Sequence, residues 1–151
     1  MLQAAWLYDG PAAIRYPRGE GSGVAINTCL RPTELGKGHI EREGGEIAIL
    51  NFGVLLVEAL SAANNLNATV ADMQWVKPLD ESLIISLAKT HKLLITLEEN
   101  AIAGGAGSAV AELISKKGID CAIRHVGIQD QFIAHGDQNE CRRLAGLTSD
   151  E

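Results

Sequence analysis

Apolar runs and helical segments alternate from residue 46 onward, and this alternation constrains the fold more than any other feature. Residues 46–52 form an apolar run typical of a buried strand, and the apolar positions of residues 54–65 recur at helical spacing. The same order is repeated twice before a last strand and a terminal helix. We therefore predict an α/β domain with a mainly parallel sheet and helices on both of its faces.

The boundaries of these elements follow from local capping signals. Asp80 is predicted to cap a helix after Pro78, and Gly118 and Gly146 are predicted to end the last two helices. The predicted strands are residues 46–52, 68–73, 92–98 and 120–126, and the predicted helices are residues 54–65, 80–90, 107–117 and 139–145.

The first 45 residues contain too many glycines and prolines for a continuous α/β core. Ala12–Tyr16 is predicted to be a short strand, and residues 36–45 a hairpin that leads into the main domain. We therefore divide the chain into residues 1–20, the tail of a preceding domain, residues 21–45, a linker with the hairpin, and residues 46–151, the α/β domain.

A stiff loop presents Arg18. Pro17 fixes its own φ and keeps Tyr16 extended, while Gly19 permits a turn directly afterwards. A guanidinium held in this way suits a phosphate or a carboxylate, since it offers a planar fork of donors. An ordinary salt bridge is the alternative interpretation of Arg18. Arg15 is expected on a solvated strand face.

Two carboxylates and a glycine-rich turn follow the third predicted strand. Glu98 and Glu99 point to opposite faces of a strand, so they do not converge on one proton, and capping of the next helix is the favoured interpretation over general-base chemistry. The turn at residues 104–108 fits neither a dinucleotide fingerprint nor a P-loop. Tight packing between helix and sheet explains it better than an anion site.

Charge and cysteine usage exclude several classes of function. A net charge of −6 argues against a binder of the nucleic-acid backbone, and no apolar run is long enough for a membrane helix. Cys29, Cys121 and Cys141 lack metal-binding spacing and are read as free thiols, and His135 with Cys141 is too small a set for a metal site. The expected location is the cytoplasm.

Five segments, in order along nearly the whole chain, together resemble one enzyme family. They are Ile14-Arg15-Tyr16-Pro17-Arg18-Gly19, Ala48-Ile49-Leu50-Asn51-Phe52-Gly53, Val76-Lys77-Pro78-Leu79-Asp80, residues 98–108 (EENAIAGGAGS) and residues 127–136 (GIQDQFIAHG). In this combination the chain resembles the C-terminal part of the 1-deoxy-D-xylulose-5-phosphate synthases, which are transketolase-like enzymes.

The resemblance implies a transferase that condenses pyruvate and glyceraldehyde 3-phosphate with loss of carbon dioxide, for isoprenoid, thiamine and pyridoxal synthesis. It implies a five-stranded, mostly parallel C-terminal domain that contributes to a homodimer, with residues 1–20 ending the pyrimidine-binding domain. Thiamine diphosphate and Mg²⁺ would be bound by other domains, with no cofactor, catalytic residue or metal ligand expected here. Arg18 matches the arginine that faces the phosphate of the sugar-phosphate substrate.

Two other interpretations remain. The β subunit of a 2-oxoacid dehydrogenase E1 component shares the glutamate pair and the glycine-rich turn, although the Tyr16-Pro17-Arg18-Gly19 and residue 76–80 segments favour the synthase. A stand-alone dimerisation or regulatory module that binds no thiamine is the alternative of a different class. The broken first 45 residues argue in part against such a module.

Overall fold

The computed structural model describes residues 1–17 and 32–149, so that Arg18 and Cys29 lie outside the described residues. The described helices are α1 (Leu2–Leu7), α2 (Leu56–Leu66), α3 (Glu81–Thr90), α4 (Ala106–Lys117) and α5 (Gln138–Leu144). The described strands are β1 (His39–Arg42), β2 (Ile47–Phe52), β3 (Thr69–Asp72), β4 (Leu93–Ala101) and β5 (Ala122–Ile128).

The five described strands form one sheet in the order β1-β3-β2-β4-β5. β2, β3, β4 and β5 run parallel, whereas β1 pairs antiparallel with β3 at an edge. The chain therefore winds outward from β2 to β3 and then crosses back to β4 on the other side of β2. This change of direction places a topological switch point between the carboxyl ends of β2 and β4, where α/β folds commonly bind ligands.

Two apolar clusters cover the two faces of the sheet, as the alternation of side chains along β2 requires. Ala48 and Leu50 face α3 and α4, together with Val110 of α4. Ile49 faces the other way and packs with Ala59 of α2 and with other residues of that face. The predicted mainly parallel sheet with helices on both faces is thus confirmed.

Two predictions for local structure are wrong, and one helix was not predicted. Residues 36–45 contain a turn and the single strand β1, which pairs with β3 instead of folding back as a hairpin. Ala12–Tyr16 is not part of a strand, and α1 precedes it in a region where no helix was predicted. β1 depends on a partner distant in sequence, and α1 is a short helix without a buried residue, so neither leaves a local signal.

Asp80 is the N-cap of α3, as predicted, and it also binds the loop before β1 through a hydrogen bond. Its Oδ1 accepts hydrogen bonds from the Leu83 amide at 3.0 Å and the Ser82 hydroxyl at 2.5 Å, and its Oδ2 accepts one from the Gly38 amide at 3.2 Å. Burial by itself raises the pKa of Asp80, but these hydrogen bonds and the nearby Lys37 ammonium hold the pKa below its usual value. The ionised carboxylate therefore stabilises the fold.

We expect Asp80→Asn to lower the free energy of unfolding at pH 7 by about 1–2 kcal/mol, because the amide cannot accept hydrogen bonds on both of its end atoms. The pKa of Asp80 is lower in the folded chain than the value of about 3.9 in an unfolded chain. Its stabilising effect is present above pH 4 and is lost as the pH falls through the folded pKa. Denaturant titrations at pH 7 and pH 3 should show the difference shrinking, with exposed Asp120→Asn as control. A difference independent of pH would contradict this account.

Candidate functional site

Polar residues lie at the carboxyl ends of β2 and β4, on either side of the switch point. Asn51 lies near the end of β2, and Glu98 and Glu99 lie near the end of β4. The last pair in the register between these two strands is Phe52 with Glu98. Glu99 is the first residue of β4 beyond that pair. This is the place in the fold where a functional site is expected.

The carboxylate of Glu98 caps the start of α4. Its side chain is buried, Oε2 accepts a hydrogen bond from the Ala106 amide at 2.8 Å, and Oε1 accepts one from the Gly107 amide at 2.9 Å. A negative charge at this position also interacts favourably with the positive end of the helix dipole. The capping interpretation is therefore confirmed. Both carboxylate oxygens of Glu98 accept hydrogen bonds from backbone amides, so this geometry does not single out Glu98 as a general base.

The glycines of the turn allow α4 to begin directly against the sheet. A Cβ on Gly105 would lie 2.5 Å from the Ala101 carbonyl oxygen, and one on Gly107 would lie 2.6 Å from His125 Nδ1. Real Cβ atoms do not approach other atoms so closely, and packing therefore accounts for both glycines. Because Glu98 already occupies the amides at the start of α4, this helix terminus does not fit the diphosphate of a cofactor.

Glu99 points to the opposite face and pairs with α5. The Nε of Arg142 donates to Glu99 Oε1 at 2.7 Å, and Arg142 Nη1 lies 3.6 Å from Glu58 Oε1 in the first turn of α2. The side chain of Arg142 is only 15% exposed, so this group is more than a solvated surface pair. Arg142 therefore joins α5, β4 and α2.

Arg15 reaches the same glutamate from the N-terminal segment. Its Nη2 donates to the backbone carbonyl oxygen of Glu99 at 2.6 Å, across 84 positions of sequence. The expectation of a solvated strand face missed this contact, since nothing near Arg15 in the sequence indicates a distant carbonyl acceptor.

Asn51 in β2 and Thr96 in β4 make further buried polar contacts. Asn51 Nδ2 donates to the Gly53 carbonyl oxygen at 2.8 Å and to Asp72 Oδ1 at 3.2 Å, while its Oδ1 has no partner among the described residues. Thr96 Oγ1 lies 2.7 Å from His125 Nδ1. These contacts fix side chains between neighbouring strands, and the Thr96 hydroxyl beside His125 is fully buried.

A cavity of about 580 Å³ opens on the sheet face that α2 partly covers. More than half of its lining residues are aliphatic, chiefly from β2, β4, β5 and α2, and Glu58 and Arg124 are among its few charged members. Residues 1–17 and 32–149 contain no group of three or more metal-binding side chains, and none of their helices has the length and apolarity to cross a membrane.

Comparison with protein families shows the family to which the chain is related. The family described as "Transketolase, C-terminal domain" matches residues 36–151. The chain belongs to the transketolase C-terminal domain family. The family match includes β1, in agreement with its place in the sheet.

Several curated relatives of this transketolase C-terminal domain are 1-deoxy-D-xylulose-5-phosphate synthases. The chain is 54% identical to the synthase of Thiobacillus denitrificans over 147 residues, and this match covers 97% of the chain and 24% of the relative. It is 50% identical to that of Alkalilimnicola ehrlichii, with 97% and 24% covered, and 48% identical to that of Pseudomonas aeruginosa, with 97% and 23% covered. The chain thus spans about a quarter of these relatives.

A solved structure supports the same assignment. A chain of a split-gene transketolase, described as an inactive β4 tetramer, superposes with a TM-score of 0.74 at 32% identity. The superposition covers 80% of this chain and 41% of the other. The transketolase C-terminal fold predicted from the sequence is therefore confirmed.

We expect Glu98→Gln to lower the free energy of unfolding by about 2–3 kcal/mol, because one buried amide would lose its charged acceptor and face an NH₂ group. The loss of charge at the start of α4 acts in the same direction. Chemical denaturation followed by circular dichroism measures the effect, with exposed Glu112→Gln on the same helix as the matched control. Equal effects of the two substitutions would mean that the cap contributes little.

Proposed function

We propose that this chain is the C-terminal part of a 1-deoxy-D-xylulose-5-phosphate synthase. Such an enzyme condenses pyruvate with glyceraldehyde 3-phosphate and releases carbon dioxide. The observation that carries the proposal is identity of 48–54% to synthases of this name along 97% of the chain. The proposal places the enzyme in the cytoplasm and at the head of isoprenoid, thiamine and pyridoxal synthesis.

In this proposal the chain supports the chemistry from outside the cofactor site. Thiamine diphosphate supplies the carbanion chemistry in enzymes of this class, and Mg²⁺ anchors its diphosphate. The start of α4, where a phosphate would most readily bind, is already capped by Glu98. We therefore assign cofactor and metal binding to other domains, and assign to this chain contacts within a homodimer.

Arg18 is the residue of this chain that we assign to substrate. It lies outside the described residues, and its assignment rests on the Tyr16-Pro17-Arg18-Gly19 segment. A guanidinium binds a phosphate through two parallel hydrogen bonds and keeps its charge at every physiological pH. We propose that Arg18 binds the phosphate of glyceraldehyde 3-phosphate.

The two alternatives receive less support. The named relatives at about half identity are synthases, whereas the E1 β subunit shares only the glutamate pair and the glycine-rich turn. A stand-alone module remains the alternative of a different class. It differs from the proposal in an outcome that can be measured, since such a module would not restore synthase activity to an enzyme that lacks its own C-terminal domain.

Domain exchange tests the proposed function. The matching segment of the Thiobacillus denitrificans synthase is replaced by this chain, and formation of 1-deoxyxylulose 5-phosphate is measured. We expect a kcat within about tenfold of the parent, or about 1.4 kcal/mol in activation free energy. The parent without this segment is the control and should be inactive. A folded chimera that is also inactive would exclude the proposal.

Substitution of Arg18 in the chimera tests its role. We expect Arg18→Ala to raise the KM for glyceraldehyde 3-phosphate about 10- to 150-fold, because a charge-assisted contact of about 1.5–3 kcal/mol is removed. The KM for pyruvate, which has no phosphate, should stay nearly constant. Lys92→Ala, at the opposite end of the sheet, controls for the loss of one positive charge. A similar rise in both KM values would make Arg18 structural.

A further inference from the structure

Residues 11–17 make little apolar contact with the rest of the protein. They belong to no helix or strand, and Ile14 is the half-buried member of a segment that is otherwise exposed. Burial of apolar surface is the main favourable term that holds a segment onto a protein. The position of this segment therefore depends largely on polar contacts.

Arg15 supplies that polar contact. Its Nη2 donates a hydrogen bond of 2.6 Å to the backbone carbonyl oxygen of Glu99, and among the described residues this is the one hydrogen bond that joins residues 11–17 to β4. Hydrogen bonds from a charged donor are stronger than those between neutral groups. Pro11 and Pro17 fix φ at the two ends of the segment, which lowers the entropy lost when it is held in one place.

The carbonyl group of Glu99 is available because the strand pairing is irregular there. The register between β4 and β5 shifts between Leu97 and Ala101, and Glu99 lies inside that interval. On the other side, pairing between β2 and β4 ends at Glu98. Since backbone acceptors that are withdrawn from water need partners, this carbonyl group is suited to a side-chain donor from outside the sheet.

Arg142 holds the side chain of the same residue. Its Nε donates to Glu99 Oε1 at 2.7 Å, and its Nη1 lies 3.6 Å from Glu58 Oε1. The side chains of Glu99 and Glu58 are 26% and 28% exposed, so the group is partly withdrawn from solvent screening. Because β4 lacks regular pairing at Glu99, this ion pair limits how far the backbone there can move.

We propose that residues 11–17 form a strap that docks on the carboxyl end of β4, with Glu99 as its docking point. Arg15 binds the carbonyl group of Glu99, and Arg142 fixes the residue that carries this group. The strap thereby links the N-terminal segment not only to β4 but also, through Arg142, to α5 and α2.

The strap goes beyond the proposed function and does not depend on it. Its contacts lie within the described residues, so the isolated 151-residue chain contains all of them and its test needs no catalysis. The decisive property is action at a distance. A change at Arg142 should alter the motion of residues 11–17, although the two meet only through Glu99.

Relaxation of the backbone amides, measured by NMR on the 151-residue chain, tests the strap. We expect order parameters of about 0.8 for Ala12, Ala13 and Ile14 in the parent chain, and values below about 0.6 in Arg15→Gln, because the segment is released. Arg142→Gln should lower the same values. The double variant should lower them no further than Arg15→Gln alone, since both substitutions break one linkage.

A second variant and two controls keep the test specific. Glu99→Gln leaves the carbonyl group in place and leaves Arg142 its other partner, Glu58, and we expect it to act like Arg142→Gln. Lys92→Gln controls for the loss of a positive charge, because it removes an exposed ion pair with Glu46. Asp80→Asn controls for general loss of stability and should leave the order parameters of the strap unchanged.

The strap would be excluded by low order parameters for residues 11–17 in the parent chain, or by an Arg15→Gln variant with unchanged values. If Arg15→Gln acts as expected but neither Arg142→Gln nor Glu99→Gln does, the linkage through Glu99 is wrong. An equal effect of Asp80→Asn would mean that these values report overall stability instead of docking.

Discussion

The two hydrogen bonds from the start of α4 to the Glu98 carboxylate are the contact on which the rest of the site depends. They allow β4 to pass into a helix through a short glycine turn, with Gly107 packed beside His125. Because successive side chains of a strand alternate, burial of Glu98 on one face sends Glu99 to the other. Glu99 is thereby placed where Arg142 and Arg15 can reach it.

At the switch point, the polar side chains from the ends of β2 and β4 are thus held by contacts within the protein. In many α/β proteins the ends of the central strands stay open for a ligand. Here Arg142 crosses from β4 to α2, and its two carboxylate partners compensate its charge. The strand order of this fold creates a switch point, and at that point the chain connects its own elements α5, β4 and α2.

Features set by neighbours in sequence were predictable, and those set by distant partners were not. The Asp80 cap, the glycine that ends α4 and the capping role of Glu98 each involve residues within about one turn or one tight loop of the site. The ion pair between Glu99 and Arg142 spans 43 positions, and the contact of Arg15 spans 84. Periodicity and capping patterns contain no signal for such pairs. For β1, the glycines that suggested a hairpin flank a strand whose partner is β3.

The place of β1 also bears on how copies of this domain can meet. A parallel sheet ending at β3 would present a row of open backbone donors and acceptors to any other strand. Instead, a strand of four residues covers that side, runs against the direction of its neighbours, and carries His39, Glu41 and Arg42. Short, charged edges of this kind disfavour continuous sheets between molecules. Pairing of a further strand onto this edge of the sheet is therefore disfavoured.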